Sequence, residues 1–130
     1  MKIRIYYHDT DCGGVVYYGN YLKFLEQART EFLEDNGISV KKLSDEGTLF
    51  VVARQEVDYK LPAVYGDILE VKAFPTASSK VKIEFEYDVR NQKGEVIIKG
   101  KTIMVCVDKS VKPRAMPDEV RQRIEKAVKI

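Results

Sequence analysis

The stretch VKIEFEYDVR, residues 81–90, places Val81, Ile83, Phe85, Tyr87 and Val89 at every second position, with Lys82, Glu84, Glu86, Asp88 and Arg90 between them. That period is the pleat of a β-strand with one buried and one wet face. The turn residues NQKG (91–94) follow, and EVIIKGKTIMVCV resumes the apolar pattern, which predicts an antiparallel hairpin. Two earlier runs, LFVVARQEVDY and DILEVKAF, read as further strands separated by the Pro62 to Gly66 region. The opening KIRIYYH alternates in the same way and predicts a first strand.

Between that opening and Thr48 the period changes. Tyr21, Phe24, Leu25, Ala28 and Phe32 fall on one stripe of an α-helix, with Lys23, Gln27 and Glu34 on the opposite face. Asn20 is a candidate N-cap and Gly37 a candidate C′ residue, so the helix is predicted over about residues 20–36. The tail MPDEVRQRIEKAVKI carries Val120, Ile124, Ala127 and Val128 at helical spacing behind Pro117, and predicts a short closing helix. The order β, α, β, β, β, β, α describes an α+β fold: an antiparallel sheet of about five strands wrapped around one long helix, with a short C-terminal helix. At 130 residues the expectation is a single domain over 1–130. Such a sheet has two open edges, and pairing between copies, a homodimer, is the economical way to close them.

Composition narrows the function. Hydrophobic residues make up 45% and charged residues 32%, ordinary for a globular chain. The net charge of +2 comes from dispersed Lys and Arg, without the basic stripe that nucleic acid requires. No apolar run is long enough for a membrane span and the start has no signal-peptide core, so a cytoplasmic location is expected. Cys12 and Cys106 are far apart and His8 is the one histidine, which leaves no metal-ligand spacing; no metal and no cofactor are expected.

The remaining feature is YYHDTDCGGVVYYGNY, residues 6–21, a polar segment between a strand and a helix. Continued to YYHDTDCGGVVYYGNYLKFLEQARTEFL, it resembles the signature of the hot-dog-fold acyl-CoA thioesterases of the 4-hydroxybenzoyl-CoA thioesterase type, in their Tol-Pal-associated YbgC branch. VDYKLPAVYGDILEV and CVDKSVKPRAMP resemble the same branch, in the same order. The resemblance implies a long helix wrapped by an antiparallel sheet, subunits sharing one continuous sheet in a homodimer or a homotetramer built as a dimer of dimers, and sites at the subunit interface. It implies hydrolysis of an acyl-CoA, with acyl carrier protein as an alternative carrier. It also puts the essential acid, the second aspartate of an Asp-x-Asp-x-x-Gly pattern, on Asp11, and the backbone N–H that polarises the thioester carbonyl on Tyr18. Many members of the branch have histidine where this chain has Tyr18, so a side-chain role there does not transfer, whereas a backbone role does.

Chemistry agrees with that assignment. Thioester hydrolysis needs a nucleophile or activated water, and donors where charge develops on the carbonyl oxygen. An aspartate carboxylate is ionised at neutral pH and can serve as nucleophile or as base. Gly13 and Gly14 allow a tight turn, and the following helix start offers unpaired N–H groups. Asp9 is expected to orient the loop. Cys12 with His8 forms a rival nucleophile and base, disfavoured by their spacing and by the want of a third orienting group. Glu26 and Glu31 on the helix are further carboxylates, read as exposed. Tyr17 and Tyr21, with Gly14, are candidates for the acyl pocket; Ser78, Ser79, Lys80, Lys112 and Arg114 are candidates for the phosphates of coenzyme A. The competing functions are an acyl-thioester dehydratase and a non-catalytic binder of acyl-CoA or acyl carriers.

Overall fold

A computed structural model describes residues 1–128; Lys129 and Ile130 of the tail lie outside the described residues. Five strands form one antiparallel sheet: β1 (Lys2–Arg4), β2 (Leu49–Tyr59), β3 (Ile68–Ser78), β4 (Lys82–Arg90) and β5 (Val96–Val107), in the spatial order β1-β3-β4-β5-β2. Three helices accompany them: α1 (Tyr18–Asp35), α2 (Val40–Asp45) and α3 (Asp118–Ala127). The expected α+β architecture is therefore present.

The alternation in β4 does what its pattern requires. Ile83, Phe85, Tyr87 and Val89 are all at most 2% exposed. On the other face Asp88 pairs with Arg90 and Lys99, and Glu84 pairs with Lys101 on β5. Of the helix stripe, Tyr21, Phe24, Leu25 and Ala28 of α1 are buried in the same core as the inner face of the sheet and Phe32 is partly buried against it, while Leu33, outside the stripe, is buried as well. Full burial of a Leu side chain such as Leu25 or Leu33 contributes about 1.5–3 kcal/mol. Gly37, at φ +76°, closes α1 by donating to Glu34 O at 2.9 Å while Ile38 N–H reaches Leu33 O at 2.8 Å, a Schellman ending with Ile38 and Leu33 both buried.

Four details depart from the sequence expectations. The first strand stops at Arg4, and Tyr7–Asp9 forms a 3-10 turn instead, leaving Tyr7 exposed. The helix begins at Tyr18, so Asn20 lies inside its first turn and Tyr17 takes the N-cap position without a side-chain cap. Helix α2 is an addition to the expected elements; its cue is Ser39, whose hydroxyl caps Lys42 N–H at 3.1 Å. Strand β3 runs on through the buried Pro75, with a bulge before Ala77. Because β1 reaches only as far as Glu70 of β3, the N–H missing at Pro75 deprives no neighbour of a bond.

A polar chain crosses the core. Arg29 donates to the Tyr87 hydroxyl at 3.4 Å, Tyr87 to Thr102 Oγ1 at 2.8 Å, and Thr102 to Gln55 Oε1 at 2.8 Å. Thr102 is fully buried at its centre. Thr102→Val leaves the Tyr87 O–H and Gln55 Oε1 without partners, and is expected to destabilise the fold by about 2–3 kcal/mol, read from urea or thermal unfolding.

Candidate active site

The polar segment folds as a small hairpin pinned on both sides. Asp9 Oδ2 accepts the Tyr6 N–H at 2.9 Å, and the Thr10 hydroxyl donates to Tyr7 O at 2.7 Å, which fixes the 3-10 turn. Thr10 pairs with Val16, and Asp11 N–H donates to Val15 O at 2.9 Å. The tip is a β-turn from Asp11 to Gly14, closed by Gly14 N–H to Asp11 O at 3.1 Å. Within it Gly13 N–H donates to Asp11 Oδ1 at 2.8 Å, while Asp11 Oδ2 has no donor among the described residues. One oxygen therefore orients the exposed carboxylate and the other is free. Gly14 has φ +82° and open space where a Cβ would stand, so its requirement is conformational.

The hairpin leads into α1. The Asp9 carbonyl accepts both Tyr17 N–H and Asn20 Nδ2, each at 3.0 Å, tying the loop to the first turn of the helix. Asp9 is thus the loop-orienting residue expected, and Asn20 contributes as a tether rather than a cap. Tyr18 is the first residue of α1, where an N–H has no intrahelical acceptor. Its side chain is 65% exposed, with its ring 4.6 Å from that of Tyr17. The neighbouring Tyr18 hydroxyl raises the Tyr17 phenol above its ordinary range.

A groove of about 250 Å³ lies beside this helix start, lined by Val16, Tyr18, Tyr21, Tyr59, Lys60, Leu61 and Pro62. Tyr21 is 4% exposed and its hydroxyl accepts Ala63 N–H at 3.2 Å; burial pushes its phenol up, an effect the Ala63 bond partly offsets. Tyr21 therefore forms the floor of the groove, and Tyr17 is not in its lining. A larger opening of about 800 Å³ between α1 and β1 holds Glu26 and Glu31 but no residue of the Asp11 loop.

The coenzyme A candidates gather elsewhere. Ser79 Oγ accepts Val81 N–H at 3.3 Å and Lys82 N–H at 3.1 Å, closing the β3–β4 turn. Lys80 O accepts Met116 N–H, and Arg114 donates from its backbone to Cys106 O and from Nη1 to Gly47 O at 3.1 Å. Lys112 lies in the loop built on Asp108 Oδ1. These groups form one basic corner beside Leu49, where β2 begins, whereas the Asp11 loop and Tyr18 lie beside Tyr59, where it ends. Ten residue steps at roughly 3.3 Å put those two ends about 30 Å apart. The chain therefore places its two groups of candidate residues at opposite ends of β2 and does not join them.

The rival nucleophile finds no support in the geometry. His8 has 80% side-chain exposure, stacks on Tyr6 at 5.9 Å and approaches Asp9 Oδ1 at 3.6 Å; among the described residues no contact joins it to Cys12. Nor does any group of three or more His, Cys, Asp or Glu there suit a metal ion.

A long helix backed by a five-stranded antiparallel sheet, with a carboxylate turn at the helix start, defines the hot-dog class. The Thioesterase-like superfamily matches residues 6–124, and the chain belongs to it. It is 37% identical over 119 residues to the acyl-CoA thioester hydrolase YbgC of Escherichia coli O6:H1, covering 91% of this chain and 89% of that protein. Among solved structures it superposes on a DHNA-CoA thioesterase from Staphylococcus aureus with TM-score 0.90 and 28% identity, covering 97% and 89% of the two chains. A thioesterase from Thermus thermophilus complexed with coenzyme A and Zn gives TM-score 0.84 at 28% identity, with 98% and 91% covered.

Since Cys12 is exposed and joined to no base, Cys12→Ser is expected to keep thioester turnover within about twofold of wild type, measured by thiol release from acyl-CoA.

Proposed function

We propose that this chain hydrolyses acyl-CoA thioesters to free acid and coenzyme A, with Asp11 as nucleophile or base and the Tyr18 N–H as the donor to the carbonyl oxygen. The observation that carries the reading is the Asp11 turn: a carboxylate with one oxygen held by Gly13 N–H and the other free, tied through Asp9 to a helix start with open N–H groups. The kinship with YbgC of E. coli, an acyl-CoA thioester hydrolase by name, supports the activity, and the coenzyme A in the T. thermophilus relative supports the carrier. Acyl carrier protein is the second donor to test.

The site is completed between subunits. β2 is an open edge of 11 residues, and two such edges pairing antiparallel about a twofold axis lay the start of one strand beside the end of the other. The basic corner of one copy, Ser79, Lys80, Lys112 and Arg114, then meets the Asp11 loop and Tyr18 groove of its partner. A homodimer is the smallest assembly that does this, and a tetramer of two dimers retains it. Among the described residues no helix is long and apolar enough to cross a membrane. Two free thiols fit the reducing cytoplasm, where we place the protein.

Asp11→Asn is expected to lower kcat by about 10²–10⁴, assayed by thiol release across short, long and aromatic acyl-CoAs. Absence of release by the wild type, with acyl-CoA still bound, would favour the binding protein; hydration of an enoyl-CoA faster than cleavage would favour the dehydratase.

Mixing supplies the test of the shared site. Asp11→Asn and Lys112→Glu chains, each weakly active alone, are expected to regain activity when unfolded and refolded together, because one site of each mixed dimer is intact. A mixture no better than the average of its parts means that each chain holds its own complete site.

A further inference from the structure

Among the buried polar residues described, Asp67 is the one with a carboxyl side chain, at 8% exposure. Its two oxygens are separately engaged: Oδ2 accepts Val64 N–H and Oδ1 accepts the Gln92 amide, each at 3.0 Å. Gln92 sits in the β4–β5 turn and turns its own Oε1 to the Ile68 N–H at 3.0 Å. The backbone of the same segment is clamped as well, with Ile5 N–H on Asp67 O at 2.8 Å and Gly66 N–H on Ile5 O at 2.9 Å.

The segment so held is the shelf on which the Asp11 hairpin rests. Val64 pairs with Val15, Ala63 O accepts Val16 N–H at 2.9 Å, and Ala63 N–H is fixed by the Tyr21 hydroxyl. Val15 O in turn accepts Asp11 N–H. Direct bonds and strand pairing thus run from the β4–β5 turn through Asp67 to the backbone of Asp11. A buried carboxylate has to keep both oxygens partnered. Loss of the Gln92 donor opens Asp67 Oδ1 to water and frees the carboxylate to turn toward it, and that rotation releases Val64 N–H.

We propose that Asp67 and Gln92 are positioning residues for Asp11: they hold residues 63–67 in register so that the hairpin presents the carboxylate at a fixed place beside the start of α1. This rests on the reading of Asp11 as the group that does the chemistry. Gln92 is exposed, and the turn it occupies is built by Asn91, whose Oδ1 accepts Lys93 N–H and Glu95 N–H at 3.0 Å each. Its side chain is therefore removable without dismantling the hairpin.

The test measures kcat, KM and thermal midpoint for wild type, Asp11→Asn, Gln92→Ala, Asp67→Asn, Gln92→Glu and the double exchange Asp67→Asn with Gln92→Glu. Gln92→Ala is expected to lower kcat about tenfold with KM within about twofold, since displacement of a reacting group by a fraction of an ångström to about 1 Å is costly. Both exchanges made singly are expected to lose kcat, Gln92→Glu by facing one carboxylate with another. The double exchange restores every bond. The new amide at position 67 donates to the new carboxylate at position 92, which also accepts Ile68 N–H, and the amide oxygen at position 67 accepts Val64 N–H. Its kcat is therefore expected to return to within about threefold of wild type. A dead Asp11→Asn with full kcat in Gln92→Ala overturns this proposal and leaves the acid in place. The proposal also falls if only the thermal midpoint or only KM changes, or if the double exchange fails to exceed the single ones. An active Asp11→Asn overturns the proposal together with the reading of Asp11 beneath it.

Discussion

A single backbone carbonyl organises the candidate site. Asp9 O takes donors from Tyr17 N–H and from the Asn20 side chain, and so joins the Asp11 hairpin to the first turn of the long helix. Asp11 and Tyr18, the proposed catalytic pair, each lie within two residues of that joint, and the Thr10–Val16 pairing leaves no slack before the Asp11 turn. The helix itself is firmly seated: its stripe from Tyr21 to Ala28 is buried against the sheet and its end is locked by Gly37 and Ile38. Rigid burial on one side and a short polar tether on the other are what allow an exposed aspartate to keep one position.

The second constraint is length. An 11-residue β2 is generous for a chain of this size, and it carries the basic corner and the acid loop to its two ends. A monomer with such an edge has unpaired backbone groups along a whole strand and the proposed substrate site in two halves. Both deficits are removed by one antiparallel pairing, so the sheet edge and the catalytic proposal call for the same partner. The bulge between Val52 and Arg54 falls near the middle of that edge, where it adjusts twist without disturbing either end.

Much of this is legible in the chain because the strands face water on one side. Strict alternation in 81–90, turn residues at 91–94 and the stripe from Tyr21 to Phe32 each allow one reading, and the sheet and helix agree with them. The departures at Tyr7 and Asn20 share a cause. Tyr7 continues the period of Ile3 and Ile5, yet the Asp9 carboxylate captures Tyr6 N–H and turns the chain before Tyr7 can join the strand. Asn20 has the chemistry of a cap, but the cap position falls three residues earlier because Asp9 O already serves the Tyr17 N–H. For the site, residue types and order indicate Asp11, while the split between Asp11 and the Lys112 corner depends on which strand ends adjoin. That is a property of the order β1-β3-β4-β5-β2, which no local pattern encodes.

At Tyr18 the proposed role belongs to the main chain and not to the side chain. The N–H of a first helical residue points along the helix axis whatever the side chain, and its positive end belongs to the backbone. A histidine at this position would add an imidazole; tyrosine adds a phenol that leans on Tyr17 and is otherwise open to solvent. Catalysis drawn from the main chain is indifferent to that exchange. The groove is not, because the Tyr18 ring forms its wall together with Tyr59 and Leu61. Variation at this residue therefore reshapes the groove, while the reaction proposed for Asp11 and the helix start is untouched by it.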